Sequence, residues 1–203
     1  MARVKLSKTE LKAQTDALKR FQRFLPMLQL KKQQLQGEIA GISAKADEVS
    51  ARERSVRADL NRWVGLFAMD EGLLAGLVKV KSVKTGSANI AGVAIPTFVS
   101  IETDVKEVDA WETPAWVDNA VAATTQILSL QCERAVFERQ RELIAAELQQ
   151  TSQRVNLFEK VKIPECKEAI RIIKIALGDE QTAAVTRGKI AKSRSPKQEE
   201  AAA

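Results

Sequence analysis

A hydrophobic seam with a seven-residue repeat begins at Leu18 and keeps its register for about seven heptads. Stepping by three and four residues gives Leu18, Phe21, Leu25, Leu28, Lys32, Leu35, Ile39, Ile42, Ala46, Val49, Glu53, Val56, Leu60, Trp63 and Phe67, of which only Lys32 and Glu53 are charged. Apolar residues every 3.5 positions keep one stripe of a helix turned toward a partner, and that spacing imposes a left-handed supercoil. At 1.5 Å per residue, the stretch from Leu18 to Gly72 makes a rod of roughly 80 Å. No small globule can cover such a helix, so its partner must be equally long.

The same chain supplies that partner. A second helix opens near Thr113-Pro114, with Pro at a position favoured in a first turn. Its seam reads Trp116, Ala120, Ala123, Ile127, Leu130, Arg134, Phe137, Arg141, Ile144, Leu148, Thr151, Val155 and Phe158, weaker than the first because ten of thirteen are apolar. Between the helices, residues 77–83 alternate apolar and polar with the period of a half-buried strand. Lys84-Thr85-Gly86-Ser87 reads as a turn, and residues 89–101 are rich in β-branched side chains, with Pro96 expected at an edge or bend. Such an insert is marginal alone and needs a surface or the end of the coiled coil beneath it.

The expected fold is therefore mainly α: a long antiparallel two-helix left-handed coiled coil with a small central β insert. Its parts are an N-terminal helix over 1–76, a β insert over 77–112 at the far end, a C-terminal helix over 113–185, and a disordered basic tail over 186–203. Ser7 and Glu10 have the spacing of a capping box at the first helix start. Pro26 and Pro164 should kink or break the two helices. Counted from helix ends near Gly76 and Ala115, they lie 50 and 49 residues from the insert. That count puts both at one height, as a shared joint.

Composition excludes several function classes. The chain has no His, the commonest general base and metal ligand, and only two Cys, Cys132 and Cys166, which form no CxxC unit. No catalytic group, cofactor or metal site is expected, and two unpatterned Cys suit a reducing compartment. No apolar run is long enough to cross a bilayer, and MARVKLSKTE lacks the apolar core of a signal peptide. A soluble, cytoplasmic protein without direct membrane insertion is the expectation. The net charge of +6 is segregated: residues 1–32 hold nine Lys/Arg against Glu10 and Asp16, residues 154–198 hold eleven against five acids, and residues 99–119 hold six acids against Lys106. An antiparallel fold brings the two basic ends together.

Both basic ends carry more apolar residues than one seam requires. Ile170, Ile173 and Leu177 fall on one helix face while Ile172, Ile175 and Ala176 spread over another, and Phe21, Phe24, Leu25, Met27, Leu28 and Leu30 are similarly broad. Burial on more than one side follows, as in a tip that enters a larger protein. Arg20, Phe24, Arg171, Ile172, Lys174 and Ile175 are the candidate contact residues there.

The stretch Gln153-Arg154-Val155-Asn156-Leu157-Phe158-Glu159-Lys160-Val161-Lys162-Ile163-Pro164, followed by Ile170-Arg171-Ile172-Ile173-Lys174, resembles the C-terminal signature of the D subunit of vacuolar/archaeal-type (V-type) rotary ATPases. Arg154, Val155, Asn156, Glu159, Ile163 and Pro164 carry the match. Leu30-Lys31-Lys32-Gln33-Gln34-Leu35 is similar to the family's N-terminal region, with Gln where Arg and Asp are usual, as in a divergent bacterial branch. Asn89–Pro96 resembles its central segment. The resemblance implies a non-catalytic rotor shaft whose termini insert into a hexamer of A and B subunits. Its other end would join the F subunit and the subunit capping the membrane ring, placing it at the cytoplasmic periphery of the membrane. Such a shaft couples ATP synthesis or hydrolysis to proton or sodium ion transport. The rival reading is a coiled-coil scaffold or adaptor unrelated to ATP turnover. A nucleic-acid binder ranks below both, because Phe and Trp lie on helix seams and not in basic loops.

Overall fold

The computed structural model describes residues 5–62, 65, 77–106, 113–114 and 116–201, with side chains as far as Lys192. In chain order the elements are α1 (Lys8–Asn61), β1 (Val78–Ile90), β2 (Val93–Val105), α2 (Val117–Leu157) and α3 (Ile163–Ala201), with a π-helical turn, Phe158–Lys162, joining α2 to α3. The protein is mainly α with a two-stranded antiparallel insert. Two compact units divide it, residues 31–150 and residues 1–30 with 151–203. The seam positions Trp63 and Phe67, and the expected helix end at Gly76, lie outside the described residues.

α1 begins where a side chain satisfies an orphan amide: the Glu10 N–H donates to Ser7 Oγ at 3.2 Å. The reciprocal half of the capping box is absent, because the Glu10 carboxylate accepts from Gln14 Nε2 at 2.8 Å instead. Every described seam residue of α1 from Leu18 to Leu60 is buried or half-buried, with Leu35, Ile42, Val49 and Glu53 the most enclosed. α1 does not break at Pro26. Pro26 and Gln22, whose carbonyl loses its donor, are both exposed, so water can satisfy the freed group.

In the 31–150 unit, contacts between α1 and α2 descend one helix as they ascend the other. Lys31 Nζ meets Glu147 Oε1 at 2.7 Å, and Gln131 Nε2 donates to Glu53 Oε1 at 3.0 Å, so the helices are antiparallel. Lys31, not the seam residue Lys32, makes the cross-helix pair. Glu53 is the charged layer of the seam. Arg57 Nε and Nη2 donate to its Oε1 at 3.0 and 2.8 Å, and Arg134 Nη1 lies 3.6 Å from Oε2. The hydrogen bond from Gln131, then that from Arg57, holds the Glu53 carboxyl below its usual range.

The strands pair from Val78↔Val105 to Ile90↔Val93, with register shifts between Val80 and Ser82 and between Lys84 and Thr85. The turn is Ala91-Gly92, not the expected 84–87. Ala91 at φ 51° and Gly92 at φ 86° have the positive φ pair of a type I′ hairpin, and Asn89 Oδ1 accepts from the Gly92 N–H at 2.9 Å. Gly86 lies within β1 for a different reason. A Cβ there would come within 2.6 Å of Thr97 Oγ1, so only glycine fits without a shift. The turn half of the hairpin lies along the helices: Ile95, with Ala88, Ile90 and Val93, packs against Leu35, Ile42 and Ile144. The insert thus finds its supporting surface on the flank of the helices and not, as the element order suggests, at their far end. Gln140 Nε2 donates to the Pro96 carbonyl from α2. That second contact broadens the buried face of α2, so Val136 and Gln140 are enclosed while Arg141, expected in the seam, is exposed.

In the other unit, the Phe21 and Phe158 rings meet with centroids 5.0 Å apart. Pro26 lies five residues from Phe21 in one direction and Pro164 six from Phe158 in the other. Their separation along antiparallel helices is then about 16 Å, and the shared proline joint does not exist. Helix also replaces the expected disordered tail. α3 continues through Gly178 to Ala201, with every residue from 178 to 192 exposed. Thr182 and Thr186 bond back to the carbonyls of Gly178 and Thr182 along this stretch.

This packing makes two effects measurable. An L-residue at φ 51° costs roughly 1 kcal/mol, which Asn tolerates better, so Ala91→Asn should raise the thermal midpoint without altering the helical circular dichroism. Glu53 binds its proton more weakly folded than unfolded, so its contribution is present above its ordinary value of 4.5 and fades as pH falls through the folded value. Glu53→Gln should cost about 1–3 kcal/mol at pH 7 in urea unfolding and flatten the acid limb of stability below about pH 5.

Candidate partner interface

Helical spacing puts Arg20, Phe24 and Met27 at i, i+4 and i+7, on a face of α1 that flanks the Phe21–Phe158 contact. Phe24 is 49 % exposed and Met27 62 %, with Leu30 exposed one turn on and Arg23 beside them. On α3, Ile172 and Ile175 are exposed with Arg171 and Lys174 between and beside them, whereas Ile173 is fully buried. Glu168 accepts from Arg171 Nη2 and Nε at 2.7 and 2.9 Å. This fork orients the guanidinium, raises its pKa and holds the Glu168 carboxyl below its usual range.

All six candidate contact residues are thus exposed, but they form two patches. From the Phe21–Phe158 level, Phe24 lies three residues one way and Ile172 fourteen the other, an axial separation of about 25 Å. Of the signature residues, Val155 is buried and Ile163 half-buried, while Arg154, Asn156, Glu159 and Pro164 face solvent. The signature therefore spans the π turn, in which the Ile163 N–H bonds to the Phe158 carbonyl. Pro164 explains the widening, since an α-helical turn there would press its ring on the Lys160 carbonyl with no N–H to offer. Leu157, Val161, Val185 and Ile190 are also exposed, and heptad counting does not single them out because they lie off the seam. Burial, then Glu165, pushes the Cys166 thiol up, which leaves it an inert core side chain. Among the described residues no group of His, Cys, Asp and Glu could hold a metal ion, and no helix is long and apolar enough to cross a membrane.

The sum is a helical chain with a continuous seam along α1, a laterally docked hairpin and large apolar side chains left uncovered, which is the anatomy of a component of a larger assembly. Residues 10–193 match the model of the family described as the D subunit of ATP synthase. The chain is 45 % identical over 193 residues to the V-type ATP synthase D subunit of Borreliella burgdorferi, covering 95 % of each chain. It is 30 % identical over 196 residues to the protein of that name in Chlamydia muridarum, covering 95 % of this chain and 96 % of the other. The chain belongs to the ATP synthase D-subunit family.

Exposed apolar residues that serve a partner contribute little to the isolated fold. Phe24→Ala and Ile175→Ala should each stay within about 0.5 kcal/mol of the parent in urea unfolding. Ile173→Ala should cost about 2–5 kcal/mol in the same measurement.

Proposed function

We propose that this chain is the central rotor shaft of a V-type ATP synthase/ATPase and is itself non-catalytic. It couples ATP synthesis or hydrolysis in a head of A and B subunits to proton or sodium ion transport. Membership of the D-subunit family supports this reading, and the relatives named above carry that enzyme in their names. The observation that carries it furthest is the uncovered apolar surface of the unit formed by residues 1–30 and 151–203. Phe24, Met27, Leu30, Ile172 and Ile175 are all solvent-exposed beside Arg20, Arg171 and Lys174, as contact residues for an enclosing head would be. The F subunit and the subunit capping the membrane ring are the partners at the other end, and the protein sits at the cytoplasmic periphery of the membrane.

The shaft acts through asymmetry. A rod that touches three catalytic sites unequally stabilises a different conformation at each, and a ligand-dependent change at any site has a reciprocal effect on the rod. Rotation and nucleotide state become linked equilibria. The α1 seam, which runs without a register slip, suits transmission of torque, because a soft joint would store twist.

Reconstitution with A, B and F subunits tests the proposal. The chain alone should neither hydrolyse ATP nor bind it with micromolar affinity, while its addition should restore coupled ATP turnover to the head. Removing residues 169–203 should weaken coupling and leave binding of the F subunit intact. Loss of the F subunit with retention of the head would reverse the proposed orientation, and failure to recover A and B subunits with the intact chain would favour an unrelated scaffold.

A further inference from the structure

The π turn changes the seam register. Counted in heptads, the seam positions Thr151 and Val155, both buried, and half-buried Phe158 continue to Lys162, Glu165, Ala169, Ile172 and Ala176. The observed inner stripe is Ile163, Cys166, Ile170, Ile173 and Leu177, in which Cys166 is 6 % exposed and Ile173 0 %. Glu165 is exposed and Ile172 is 37 % exposed. The best-enclosed positions past the turn, Cys166 and Ile173, stand one residue beyond the heptad count, while Lys162, Ala169 and Ala176 stay at the border of the buried stripe, half-buried or buried. A bond from the Ile163 N–H to the Phe158 carbonyl spans five residues where an α-helical bond spans four. The turn therefore absorbs one extra residue, equivalent to about 100° of helix rotation.

α3 thus carries two apolar stripes. The inner one is larger. The other, Ala169, Ile172 and Ala176 with Ile175 beside it, is apolar enough to pack. In that alternative Lys162 and Glu165 join the seam, and they already form an ion pair at 3.3 Å, so neither charge enters alone. We propose that α3 has two seats against residues 1–30, one residue apart in register, and that the π turn braced by Pro164 holds it in the Ile173 seat. In the second seat the turn is α-helical, α3 is rotated by about 100°, and Ile173 faces outward in place of Ile172. The seat decides which stripe the chain presents to a partner. The inference uses packing within the chain alone, so its failure leaves the rotor proposal standing.

Maleimide labelling of the full chain, resolved by peptide mass spectrometry so that Cys132 and Cys166 can remain, reads the seat directly. Ile172→Cys should label quickly and Ile173→Cys slowly. Pro164→Ala lifts the ~3 kcal/mol obstacle that an interior proline sets against an α-helical turn, so labelling of Ile173→Cys should rise by up to roughly a hundredfold. Ile144→Cys, buried in α2, should stay at its parent rate. Adding deletion of Val161 removes the extra residue, so an α-helical turn then leads straight into the Ile173 seat and protection should return. Labelling of Ile173→Cys that Pro164→Ala leaves unchanged would overturn the proposal. So would a rise that the deletion does not reverse, since that is general fraying. Unfolding of Pro164→Ala, reported by Ile144→Cys, also overturns it, because both seats must be folded.

Discussion

Two helices packed side by side have no interior beyond the stripe where they touch. Only one residue in every three or four can be buried there, so each seam position carries a large share of the stability. Leu35, Ile42 and Val49 on α1 and Ile127, Leu130 and Ile144 on α2 are the side chains that hold the 31–150 unit together. A heptad seam is degenerate, however, since a slip of seven residues restores apolar contacts. Glu53 removes that degeneracy. A carboxylate with 6 % exposure is tolerable only where it is partnered; Arg57 reaches it from its own helix in any register, but only one register brings Gln131 and Arg134 of α2 there as well.

The hairpin depends on the same helices. A two-stranded sheet cannot bury enough apolar surface by itself, and this one solves the problem by laying Ile95 and its neighbours on Leu35, Ile42 and Ile144. The dependence runs both ways. α2 serves α1 on one side and the sheet on another, which is why its heptads are less regular and why Gln140 is buried with its amide on the Pro96 carbonyl.

In the unit of residues 1–30 and 151–203, the chemistry lies on the outside. Large apolar side chains beside arginine and lysine remain uncovered, and holding them in water is unfavourable, an arrangement that makes sense for a chain enclosed by others. The π turn lies inside the family signature and governs which face of α3 is turned inward. A motif recognisable as a string of residue types thus corresponds to a physical element, a turn widened ahead of a proline that cannot donate a hydrogen bond.

The α-helical seam of α1 was legible in the sequence because burial in a coiled coil repeats at a fixed interval, and local periodicity suffices to find it. The β insert was legible from alternation and β-branching. What local pattern could not decide were the features set by distant contacts. Gly86 looked like a turn residue, but its reason is the hydroxyl of Thr97 across the ladder, while the turn itself falls at Ala91-Gly92. Arg141 fitted the heptad, yet the hairpin rotates the buried face of α2 toward Gln140. The two prolines matched in a count from the insert, but the pairing of Phe21 with Phe158 sets the true level of each. Periodicity tells which face of a helix is buried. The partner, and the level at which it docks, is settled only when segments far apart in the chain compete for the same surface.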